Sequence, residues 1–282
     1  MAMRTTFLLM GLSALTATAQ KLPQPSPSSI WSQSLGLTEI SADYSRPSAK
    51  GRVIFGELVP YGELWRTGAN RATIVRFSTE VEVNRIPVAA GSYSLLTIPG
   101  KTEWTVILNR DTTLAGTDGY DRAKDVLRTT VKSKPCAFTE TFTFELTDLS
   151  TTSAHLKVQW AETSVSVPVK VEVRKRAQQN IEKAIAEQPG DWRVYRNAAN
   201  YYHNEGIQYP KAVEYIDRSI ELKSDNWYSH WLRAQLLYKT KKTADAKMAA
   251  QKSIELGEAQ AAKDGSTFGY KAFIEGEMKG WK

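Results

Sequence analysis

The chain has a single cysteine, Cys136, among 282 residues, so no intrachain disulfide can form and apolar cores alone must hold the fold. Its three histidines, His155, His203 and His230, are too scattered to give the ligand spacing of a zinc site. There is no G-x-S-x-G elbow, no H-E-x-x-H pair, no phosphate-cradling loop and no dinucleotide fingerprint. Past the first residues, no run is long and apolar enough to cross a bilayer. These absences argue against the common hydrolases and the metal- and nucleotide-dependent enzymes. They leave no catalytic residue, metal ligand or cofactor to assign. The net charge is +7, and it divides unevenly along the chain. From Gln20 to Val173, 17 Lys or Arg stand against 16 Asp or Glu; from Arg174 onward, 19 stand against 14. An excess spread along helices reads as a solvated face, not a nucleic-acid footprint.

What is present begins with an address. Met-Ala-Met-Arg precedes an apolar run from Phe7 to Leu15, and Ala17-x-Ala19 follows, in the order a signal peptidase requires. No lipid-attachment cysteine comes next. Residues 1–19 are therefore expected to be an export signal, with Gln20 the mature N-terminus and a Pro/Ser-rich linker over 20–29. The product would be periplasmic or extracellular, with no transmembrane segment.

Residues 30–173 alternate with period two. Val165, Val167, Val169, Val171 and Val173 share one face; Phe142, Phe144 and Leu146, and Leu156, Val158 and Trp160, do likewise. Pro99-Gly100 lies between two such runs, as a hairpin turn should. Pro168 cannot donate to a ladder, so the last strand is expected at an edge or bulged. Cys136, after Pro135 at an expected strand start, reads as a small apolar filler. Eight to ten short strands predict an antiparallel β-sandwich, with a closed barrel as the alternative.

The stretch from Tyr44 to Phe77 breaks this pattern. It holds Arg46, Lys50, Arg52, Arg66, Arg71 and Arg76 against Glu57 and Glu63, and its glycines and prolines interrupt any long element. Long irregular connections in compact domains are functional or disordered, and Phe55, Tyr61 and Trp65 argue against disorder.

Here a family resemblance emerges. Tyr44-Ser45-Arg46-Pro47, Lys50-Gly51-Arg52, Val59-Pro60-Tyr61-Gly62 and Trp65-Arg66-Thr67-Gly68-Ala69-Asn70 resemble the signature of the family called domain of unknown function 2911. Ala90 to Leu95, and Ile98-Pro99-Gly100 through Trp104 to Ile107, fit the same pattern, so the resemblance spans about residues 25–173. It implies an exported bacterial β protein, often with helical repeats appended, and no established activity. Two readings of the basic segment stay open. In one, Trp65 anchors the loop and Asn70 satisfies loop backbone. In the other, Arg46, Lys50, Arg52, Trp65, Arg66 and Asn70 form a binding site, with Trp65 a stacking platform and the arginine forks gripping an anion or sugar hydroxyls.

After Val173 the period becomes helical. Ala177, Ala212 and Ala246 recur at offsets of 35 and 34, and Ser-Ile-Glu-Leu repeats at 219–222 and 253–256. Small residues return at Ala199 and Ala234. This period resembles the tetratricopeptide repeat, although Ser224 and His230 replace its usual proline and tryptophan. Residues 174–282 are read as a half repeat, two full repeats and a closing helix near 267–278. The whole is α+β in two segregated parts. The leading functional expectation is a non-catalytic binding or scaffolding protein of the cell envelope, its repeats contacting a protein or peptide partner. The alternative is an uncharacterised enzyme or a glycan- or anion-binding module using the loop around Trp65 and Arg66.

Overall fold

A computed structural model describes residues 23–282, so the expected export signal and cleavage point fall outside the described residues. Contacts divide the chain between Glu172 and Val173 into two compact units.

Among the described residues, the first unit carries nine strands: β1 (Ser28–Leu35), β2 (Thr38–Ser45), β3 (Thr73–Phe77), β4 (Val81–Val83), β5 (Ile86–Val88), β6 (Gly91–Ile98), β7 (Glu103–Asn109), β8 (Asp125–Thr147) and β9 (Ser153–Val171). They form one open antiparallel sheet in the order β1-β2-β3-β6-β7-β8-β9-β4-β5, which sets aside the closed barrel. The alternation read from the sequence sorts the faces. Ile40, Ala42 and Tyr44 of β2 are buried while Glu39 points out.

Two strands are far longer than expected, and their irregularities fold the sheet over. Residues 125–132 of β8 pair with β7, whereas 133–147 pair with β9, with register shifts on either side of Thr139. In β9 the buried positions are even-numbered up to Trp160 and odd-numbered from Val165 to Val171. That parity switch falls between Trp160 and Val165, a stretch that includes Ala161 at φ +49°, and the extra residues of the irregularity lie on β8, where four steps on each side of Thr139 face two on β9. The far half of β8 thereby lies against β1 and β2. Trp31 Nε1 donates to the Phe144 carbonyl at 2.7 Å, and the Phe144 ring sits 5.9 Å from that of Tyr44. The two layers expected of a sandwich are thus lengths of one sheet.

Several local expectations shift. Ser28 and Ser29, placed in the linker, belong to β1 and pair with Ser45 and Tyr44. Arg46 N also donates to the Pro27 carbonyl, so this stretch is tied to the unit. Pro168 is not on an edge strand, because β9 lies between β8 and β4. It stands one residue outside the β4 ladder, which ends at Val83–Val169, so its missing donor breaks no ladder bond there. Cys136 lies inside β8 at the bend, half-buried, and burial raises its thiol pKa, which keeps the sulfur protonated.

The second unit contains α1 (Arg174–Glu187), α2 (Trp192–Asn204), α3 (Tyr209–Leu222), α4 (Trp227–Lys239), α5 (Thr243–Lys263) and α6 (Lys271–Lys279). Asp191 and Asn226 cap α2 and α4 through their side chains. The recurring small residues Ala177, Ala199, Ala212, Ala234 and Ala246 are all buried, which allows close helix approach. At the end of the unit, Trp281 stacks on Trp231 and Tyr238 at 5.8 and 5.0 Å. No helix of the described residues is long and apolar enough to cross a membrane.

Candidate functional site

Residues 46–72, between β2 and β3, wind over the folded sheet in turns and three isolated bridges: Ser48 to Thr141, Phe55 to Val59, and Trp65 to Thr97. Each bridge ends a turn that glycine or a left-handed residue makes possible. Gly68 is the clearest case. Its φ is +145°, and a Cβ there would lie 3.1 Å from the Ser45 carbonyl, so only glycine fits.

Trp65 is part of the core. It is 8% exposed, packs with Phe55, Trp104, Phe142 and Trp160 at ring distances of 5.5 to 6.1 Å, and donates Nε1 to the Gly68 carbonyl. Trp160 below it is 1% exposed. Both rings are buried, so an open stacking platform is not what Trp65 provides. Trp65 instead lines a surface cavity of about 350 Å³.

That cavity brings together four of the six candidate residues, Arg52, Trp65, Arg66 and Asn70, with Ser26, Pro47, Leu58, Val59, Gly68, Ala69 and Trp160 as the remaining wall. Arg52 is oriented by Nε donation to the Ala49 carbonyl and Nη2 donation to the Ser48 carbonyl, at 3.0 and 2.7 Å. Arg66 Nη1 donates to the Asn70 carbonyl at 2.7 Å. On another side of the same guanidinium lies Gly116, where a Cβ would sit 3.1 Å from Nη1. Asn70, at φ +59°, donates its side-chain amide to the Ser26 carbonyl and to Ser45 Oγ. A smaller cavity of about 160 Å³ adjoins, sharing Leu58, Val59, Trp65 and Arg66 and adding Glu63 and Thr117.

The other two candidates lie elsewhere. Arg46 turns to β8, donating Nε to the Phe142 carbonyl and Nη2 to Thr143 Oγ1. That clasp holds the irregular segment to the folded-over strand. Lys50 is exposed at φ +51° and is fixed through its backbone N–H to Glu140 Oε1. Sequence reasoning missed Ser26, Leu58, Ala69 and Trp160. Ser26 was hidden in an expected linker, and Trp160 is distant in sequence, brought in by the β8–β9 fold.

On the helical unit, Lys247, Gln251, Glu275, Met278 and Lys279 line a shallow depression of mixed charge. Among the described residues, no group of three or more His, Cys, Asp or Glu could hold a metal ion.

The model of the family described as Protein of unknown function (DUF2911) matches residues 26–169, more than half of the chain and the whole of this site. Comparison with the curated proteins found no match.

Proposed function

The chain belongs to the DUF2911 family, whose description names no activity, and we propose its function from the site: a non-catalytic binding protein that takes a small ligand beside Trp65. The observation that carries this reading is the cavity of about 350 Å³ with Arg52, Arg66 and Asn70 on its wall. Ligand pockets are concave and furnished with a few oriented polar groups, and this one, at the lower end of the size range, is concave with a wall that mixes polar and apolar side chains. Arg52, Arg66 and Asn70 are held in place by backbone partners, so they are pre-organised without a ligand. We further propose that the protein works outside the cytoplasm, on the strength of the charged start, short apolar core and Ala17-x-Ala19 of its N-terminus.

A second reading concerns the helical unit. Its 35- and 34-residue offsets, with buried Ala177, Ala212 and Ala246, support a tetratricopeptide-like array that contacts a protein or peptide partner. Trp192, flanked by the guanidinium groups of Arg193 and Arg196 at 5.0 and 4.8 Å, supplies an amphipathic surface for such a contact.

The test of the pocket is retention. Purified protein is incubated with the small-molecule fraction of an envelope extract, desalted and denatured, and the released compounds are identified by mass spectrometry. Ala69→Phe fills the cavity without altering charge. The reading expects a compound retained by the wild type and lost from Ala69→Phe at equal melting temperature. Identical profiles from the two proteins would refute it.

A further inference from the structure

We infer that the ligand of this cavity is an organic oxyanion, a compact carboxylate or phosphate ester whose charged head sits on Arg52 and Arg66. The inference rests on the binding role proposed above and goes further by naming the ligand class.

The charged side chains lining the cavity are Arg52 and Arg66, both cationic, and no acidic side chain lines it among the described residues. Glu63 borders the adjoining cavity instead. Each arginine spends only part of its fork. Arg52 gives two donors to the Ser48 and Ala49 carbonyls, and Arg66 gives one to the Asn70 carbonyl. A guanidinium carries five N–H groups, so both keep donors for a ligand. Their partners are neutral carbonyls, so neither positive charge is compensated by an acid on the cavity wall. A planar cation with unspent donors, held by backbone carbonyls, selects oxyanions over neutral hydroxyls, because charge-assisted hydrogen bonds are about twice as strong.

Size and wall chemistry require an organic body. A cavity of about 350 Å³ holds on the order of ten waters, so a bare phosphate or sulfate fills only a fraction of it. Pro47, Leu58, Val59 and Ala69 supply the apolar wall against which that body would lie. Leu58 is 45% exposed, and burying it adds affinity that an inorganic ion cannot collect. Asn70 and Ser26 offer neutral polar contacts for hydroxyls on the body.

The experiment is a titration of the full protein, followed by calorimetry and by amide NMR, with four probes: inorganic phosphate, glycerol 3-phosphate, glucuronate and glucose. Phosphate and glycerol 3-phosphate differ by an organic body; glucuronate and glucose differ by a charge. The expected result is binding of glycerol 3-phosphate or glucuronate, weaker binding of phosphate, and no binding of glucose. Arg52→Gln and Arg66→Gln should each weaken it about ten- to a hundredfold, and Arg66→Lys less than Arg66→Gln. Melting temperatures of the variants are measured alongside, so that a fold defect is not read as lost contact.

Glucose binding as tightly as glucuronate would overturn the oxyanion class, as would charged-probe affinity indifferent to both glutamine substitutions. So would a failure of all charged probes while Ala69→Phe still abolishes retention from extract; the binding role would then stand without its anion. If no probe binds and Ala69→Phe retains what the wild type retains, the binding role itself fails.

Discussion

Arg66 and Gly116, fifty residues apart in sequence, meet so closely that a Cβ on the glycine would lie 3.1 Å from Nη1 and 3.5 Å from Cζ of the guanidinium. The backbone at Gly116 is not left-handed, so alanine is accessible there and only the arginine must move. Gly116→Ala should cost about 1 kcal/mol or less of stability while displacing Arg66 from the cavity wall. Thermal melting paired with the retention assay checks it. A large fall in melting temperature would mean that the contact is structural packing alone.

Trp65 and Arg66 are neighbours with opposite roles, and paired substitutions separate them. Trp65→Ala empties a site shared with Phe55, Trp104, Phe142 and Trp160, and should cost about 3–5 kcal/mol of β-unit stability. Arg66→Ala removes one hydrogen bond to the Asn70 carbonyl at the surface and should cost about 1 kcal/mol, with ligand retention lost. Chemical denaturation of both variants gives the comparison. Equal destabilisation by the two would assign Arg66 to loop maintenance.

The helical unit should weaken in mild acid. Burial lowers the pKa of His203 and of His230 below the usual 6.5, the latter despite its ring bonding to the Ser224 carbonyl. A histidine with a lowered folded pKa binds more protons when unfolded. Its stabilising contribution is therefore complete above about pH 6.5 and declines as pH falls below that value. Melting curves between pH 7.5 and 5, followed by far-ultraviolet dichroism, should show this decline. It should flatten in the His203→Gln, His230→Gln double variant, and an unchanged slope would locate the sensitivity in other groups.

The β unit should fold alone. Strand β9 ends at Val171, α1 starts at Arg174, and the contact boundary falls between Glu172 and Val173. A protein of residues 23–172 is expected to unfold in one cooperative urea transition. A non-cooperative chain would make the helices an obligatory part of its core.

Export predicts a mature chain that begins at Gln20. Intact-mass measurement on protein isolated from its native cell decides the matter, since retention of residues 1–19 is incompatible with cleavage after Ala19.

What depends on local periodicity was legible in the chain before any fold was known. Alternating valines and aromatics laid out strands, and a helical period after Val173, with alanines at 35- and 34-residue offsets that are buried, laid out helices. The sequence also singled out Arg46, Lys50, Arg52, Trp65, Arg66 and Asn70 in a glycine- and proline-broken basic segment, and four of these six line one cavity. Tertiary structure decided the rest. The buried face of β9 switches between Trp160 and Val165, and the irregular pairing of β8 around Thr139 folds the sheet so that Trp160 stacks on Trp65. That packing buries the indole and turns an expected platform into part of a cavity wall. Arg46 looked equivalent to Arg66 in the chain, yet the folded-over strand offers it the Phe142 carbonyl and Thr143 hydroxyl. Such assignments depend on which strand arrives opposite a given side chain, and contacts between residues about a hundred positions apart leave no periodic trace in one sequence.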